Sequence, residues 1–135
     1  MTTPGQIVEV QSLLKKSGQV TLSAAGLGTL TFDTDSARQR WEVTGVIVTT
    51  NQSTTASVVP IVTLALNATS LSTMSPGLQR GSTWSGNSDT WSGQIDVGAC
   101  DFLSILFSPP TGQGASLSGV IATAVITGRK YTRRL

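Results

Sequence analysis

Along most of this chain apolar and polar residues alternate with a period of two. That period puts successive side chains on opposite faces of an extended backbone, so each run predicts a strand with one face buried. The clearest case is RWEVTGVIVTT, residues 40–50. It predicts Trp41, Val43, Gly45, Ile47 and Thr49 on one face, with Glu42, Thr44, Val46 and Val48 on the other. A glycine inside such a run points to a bulge, a bend or the close approach of another backbone. Further strands are predicted at QIVEV (6–10), QVTLS (19–23), GTLTF (28–32), VVPIVTLAL (58–66), DFLSILF (101–107) and LSGVIATAVIT (117–127). Pro60 has no N–H to give to a ladder, which predicts an edge strand or a bulge there. Helical periodicity is confined to VQSLLKK (10–16), too short to hold by itself and closed by Ser17-Gly18.

Eight or so short strands, about ten residues apart and parted by Gly-, Pro-, Asn- and Ser-rich turns, predict an all-β fold. The expected architecture is an antiparallel β-sandwich, jelly-roll-like, in a single domain. A length of 135 residues suits one domain with one core. Residues 1–17 read as an N-terminal arm or as the first strand, 18–128 as the sandwich, and 129–135 as a basic C-terminal tail.

Composition turns attention from chemistry to contact. Only 12% of residues are charged, and Ser and Thr number 37 of 135. A neutral, hydroxyl-rich surface carries little self-repulsion and suits packing against neighbours. The formal charge of +2 rests on Arg129, Lys130, Arg133 and Arg134, since without them five bases face seven acids. Such a cluster suits solvent or a docking partner, and no basic groove interleaved with aromatics argues for nucleic acid.

Histidine is absent, which removes the commonest general base and metal ligand and rules out a Ser-His-Asp triad. The single cysteine, Cys100, has no intrachain partner and reads as a small buried hydrophobe. Asp33-Thr34-Asp35 lacks the glycine and distal glutamate of a calcium loop, and Gly26-Leu27-Gly28 lacks the third glycine and the helix of a dinucleotide loop. No cofactor, no metal and no enzymatic activity are expected. The N-terminus has no signal-like segment, and no run nears the roughly 18 apolar residues of a membrane span. A product made in the cytoplasm and not bound to membrane is expected.

One stretch stands apart: RGSTWSGNSDTWSG, residues 80–93, where TWSG occurs twice. Folded as a hairpin with Asn87-Ser88 at the tip, Trp84 faces Trp91 as a cross-strand aromatic pair. The two indoles then form a core element or clasp. They could instead serve with Asn87 and Asp89 as a glycan platform, or as an intersubunit contact.

The ordered set GTLTFD (28–33), RWEVTGVIVTTN (40–51), PIVTLALN (60–67), GNSDTWSG (86–93), IDVGACDFLSILFSPP (95–110) and GASLSGVIATAVITGRKY (114–131) resembles small virion structural proteins of tailed phages, particularly those infecting actinobacteria. In that group the "RW-V" strand carries a core tryptophan, here Trp41, and a "GN-DT" turn precedes the next strand, here Gly86, Asn87, Asp89 and Thr90. Phe107 stands where a tryptophan is frequent, and Cys100 where a turn residue is usual. The resemblance implies a sandwich that decorates a capsid and self-associates, with a trimer favoured, located on the virion. Its docking partner would be the major capsid or a tail protein, reached through Ile7, Val8 and Val10 or through Arg129, Lys130, Arg133 and Arg134. The alternative it implies is a tail-associated or receptor-binding module that meets host cell-wall glycan through Trp84 and Trp91.

Overall fold

A computed structural model describes residues 8–34, 36–53, 56–67, 69–74, 87–99 and 101–134. They form eight strands: β1 (Val8–Thr21), β2 (Gly28–Asp33), β3 (Gln39–Thr50), β4 (Ile61–Leu66), β5 (Thr69–Met74), β6 (Asn87–Val97), β7 (Phe102–Ser108) and β8 (Ile121–Arg134). Every pairing is antiparallel. One sheet, A, has the order β1-β8-β3-β6, and the other, B, the order β2-β7-β4-β5. The all-β antiparallel sandwich expected from the period-two pattern is therefore what the chain forms. Its pairs nest, β1 with β8, β2 with β7, β3 with β6 and β4 with β5, as in one antiparallel ribbon folded over on itself.

Both ends of the chain depart from the sequence expectation. QIVEV and QVTLS do not make two strands, because residues 8–21 run as one, paired with β8 from Val8↔Arg134 to Thr21↔Ile121. Long-range pairing overrides the local turn signal at Ser17-Gly18. Gly18 serves packing instead, since a β-carbon there would meet Leu30 Cδ2 at 3.1 Å and Phe32 Cζ at 3.4 Å, where β1 lies over β2. The basic RKYTRR segment is likewise no tail. It is the second half of β8, which lies between β1 and β3 in sheet A.

The β3 pattern holds only halfway. Trp41 and Val43 are buried as expected, but beyond them Val46 and Val48 go inside, while Ile47 is 42% exposed. The register of β3 shifts between Val43 and Gly45 against both neighbours. One extra residue in a strand rotates everything beyond it to the other face. The bulge anticipated at Gly45 is thus real, and it swaps the face assignment for the second half of the strand. Pro60 lies just ahead of β4, so no ladder donor is lost, and β4 is an inner strand and not an edge. Residues 114–117 form a 3-10 turn, with Leu117 buried, and the strand expected from 117 begins at Ile121.

Between the sheets Trp41, Val43, Val46, Val48, Val62, Leu64, Leu103, Ile105, Phe107 and Ile126 make one continuous core. Burying a Val, Leu, Ile or Phe side chain stabilises by about 1.5–3 kcal/mol. That core fixes which way each remaining side chain faces.

Candidate functional site

Strand β6 holds the described part of the tryptophan segment. It pairs with β3 from its first residue, Asn87↔Thr50 and Ser88↔Thr49, so these two residues are strand and not the tip of a hairpin. The reason is length: β3 extends to Thr50 and templates β6 that far. Trp84 lies outside the described residues, as do Ile7 and Cys100 and the side chains of Val8, Asn87 and Arg134. Trp91 is opposite Val46 and Asp89 opposite Val48, which turns both toward the other sheet. Trp91 is half-buried and packs against the core. Its indole lies across Gly93, where a β-carbon would stand 2.6 Å from Cζ2. The Trp-Ser-Gly spacing therefore seats an aromatic ring over a residue with no side chain on the same face.

Asp89 shares this inward face at the edge of sheet A. Burial pushes its carboxyl above the ordinary range, opposed by the Thr90 backbone N–H, which donates to Oδ1 at 2.8 Å. Asp96, opposite Glu42, points to the outer face. The strand thus holds these two carboxylates on opposite sides of the sheet, which is not the arrangement of an acid/base pair across one substrate.

The basic residues of β8 meet partners the sequence did not suggest. Arg133 is opposite Glu9, Arg129 opposite Leu13 and Glu42, and Lys130 opposite Ser12 and Trp41. Arg40 forks onto Glu9, with Nε to Oε2 at 3.0 Å and NH2 to Oε1 at 3.1 Å, while its guanidinium carbon lies 4.0 Å from the Tyr131 ring centre. The hydrogen bond from Arg40 is the main reason the Glu9 carboxyl stays below the ordinary range. Glu9, Arg40 and Tyr131 tie β1, β3 and β8 together across the outer face of sheet A. Beside this clamp, Arg38, Gln39, Gly98 and Arg133 border a shallow hollow of about 170 Å³. Val10, opposite Thr132, is 38% exposed. No local signal could mark this group, because Glu9 and Arg40 are 31 residues apart and meet only through β8.

Charge separates the two sheets. Strands β1, β3 and β6 each carry two or three charged residues and β8 carries four, whereas in β2, β4, β5 and β7 the single charged residue is Asp33. Register places Thr29, Leu106 and Thr63 in one row on the outer face of sheet B, with Thr31, Ser104 and Ala65 in the next, where Ser104 and Ala65 are buried. Leu27 (53%), Phe102 (37%) and Leu106 (36%) are exposed there or at its margin. A shallow groove of about 370 Å³ runs between Leu27, Thr29, Thr63, Leu106 and Ser108. Charge is therefore concentrated in sheet A, on both of its faces, while the single charged residue of sheet B, Asp33, stands beside Phe102 at the end of the outer face. Comparison with protein-family models and with curated proteins gives no match for this chain.

Proposed function

We propose that the protein is a non-enzymatic structural component of a tailed-phage virion: a capsid decoration protein that self-associates and docks on the shell. The observation behind this reading is the unequal charge of its two sheets. The sparsely charged outer face of sheet B and the outer face of sheet A, where Arg40, Arg129 and Arg133 alternate with Glu9, Glu42 and Asp96, both suit contact with other protein. Trp91, packed against the core beside Gly93, supports the clasp reading of the tryptophan segment over a sugar platform. The test is immunogold microscopy of intact particles with antibody raised against the recombinant domain. Gold spread over the heads is the expected result. Gold confined to the tail tip would replace decoration with a tail module that meets cell-wall glycan, and unlabelled particles would sink the virion assignment altogether.

A further inference from the structure

From the register where β3 begins and β8 ends, we infer that the hollow beside the Glu9–Arg40 clamp is an oxyanion site that takes a phosphate dianion between Arg38 and Arg133. The inference does not depend on the virion reading. The pairing Gln39↔Thr132 continues one step beyond β3, because the Arg133 N–H donates to the Arg38 carbonyl at 2.8 Å. Arg38 therefore stands directly opposite Arg133, and both line the hollow. Residues so placed have their β-carbons about 5 Å apart, and like charges there repel. On its other side Arg133 is opposite Glu9, but both oxygens of that carboxylate are taken by Arg40. Among the described residues, the guanidiniums of Arg38 and Arg133 have no hydrogen-bond or ion-pair partner.

The remaining walls carry little side chain, being formed in part by Ala37, Gly98 and Ala99. What the hollow offers a ligand is therefore mainly guanidinium. Arg38, Arg40 and Arg133 line it against the single carboxylate of Glu9, which leaves a surplus of two positive charges among the lining residues. A guanidinium presents parallel N–H donors that match two oxygens of a phosphate, and a phosphate has oxygens enough to bridge two guanidiniums. A dianion cancels the surplus and removes the repulsion between Arg38 and Arg133, whereas one carboxylate would leave half of it standing. The volume of about 170 Å³ admits a tetrahedral oxyanion, with room left for water or for the rest of a phosphate monoester. Because Arg38 and Arg133 are exposed and the ion is only partly desolvated, the dissociation constant is expected on the order of 1 mM.

Chemical-shift titration of the isotope-labelled full chain with inorganic phosphate and, in parallel, with glycerol phosphate tests this, at an ionic strength held fixed with sodium chloride. The expected result is a saturable movement of the Arg38, Gly98, Ala99 and Arg133 amides. Arg38→Gln and Arg133→Gln should each weaken binding about tenfold or more, and Arg38→Gln should do so without lowering the melting temperature in chloride, since it removes a like-charge neighbour. Arg129→Gln, opposite Leu13 and Glu42 on the same face, should leave binding unchanged. The chain has no histidine, so a rise in affinity for glycerol phosphate from about pH 5 to about pH 7 reports the second ionisation of the ligand. Binding of both ligands supports a site for the terminal phosphate of a larger molecule, and binding of inorganic phosphate alone supports a site for the free ion. Shifts that do not saturate by about 100 mM phosphate, or that Arg129→Gln weakens as much as Arg38→Gln does, would overturn the site. Affinity indifferent to that change of pH would overturn the dianion.

Discussion

Gly128 lies opposite Val43, at the point where β3 takes its extra residue, and its φ is 157°. A β-carbon there would collide with the Glu42 carbonyl, which is backbone and cannot swing aside. Gly128→Ala should therefore lower stability by about 2 kcal/mol or more, read by urea denaturation. Trp91→Ala should lower it by about 2 kcal/mol, less than a fully buried tryptophan would, because the ring is only half-covered. Asp89 gives a sign that pH can check. Its carboxyl is raised in the folded protein, so its contribution is fully present below the unfolded value and is lost as pH rises through the folded one. Asp89→Asn should accordingly gain melting temperature relative to wild type as pH rises from about 3 to about 7. Asp101 acts in the opposite sense. Asn67 Nδ2 and the Gly98 N–H donate to its carboxylate at 2.7 and 2.9 Å and hold it below the ordinary range. Its stabilisation is present above the unfolded value and lost as pH falls through the folded one, so Asn67→Ala should flatten the acid side of the melting profile.

At the scale of elements, the bulge in β3 decides which residues make the core. Deleting Thr44 would bring Val46 and Val48 into phase with Trp41 and Val43, so that uninterrupted alternation turns all four inward without a bulge. Circular dichroism and fluorescence should therefore show the native core retained in this deletion variant. The strand itself was legible in RWEVTGVIVTT, and Gly45 flagged the irregularity. The phase beyond it was not legible, because Val46, Ile47 and Val48 are all apolar and alternation has no contrast there. The same holds for β1 and β6. Local patterns suggested a turn at Ser17-Gly18 and a hairpin tip at Asn87-Ser88, and both gave way to partners distant in sequence, β8 and β3. Trp91 and Asp89 could be picked out as unusual in a polar stretch. Their inward direction follows only from pairing with Val46 and Val48, and Glu9 with Arg40 becomes a pair only when β8 brings β1 and β3 to either side.

At the scale of the molecule, the nested ribbon sets its own timetable. Sheet A has β8 between β1 and β3, so the eighth strand in the sequence is an interior one. Ending the chain at residue 120 should leave β1 without its pairing partner and prevent folding, which hydrogen exchange would report as an absence of protected amides. Contacts so far apart along the chain also make closure entropically slow, so folding is expected in milliseconds to seconds and not microseconds. During synthesis β1 must wait, unpaired, until β8 has left the ribosome, with Leu14 and the inner faces of β3 and β6 open to other chains. That interval is where a chaperone, or a lower growth temperature, would set the yield.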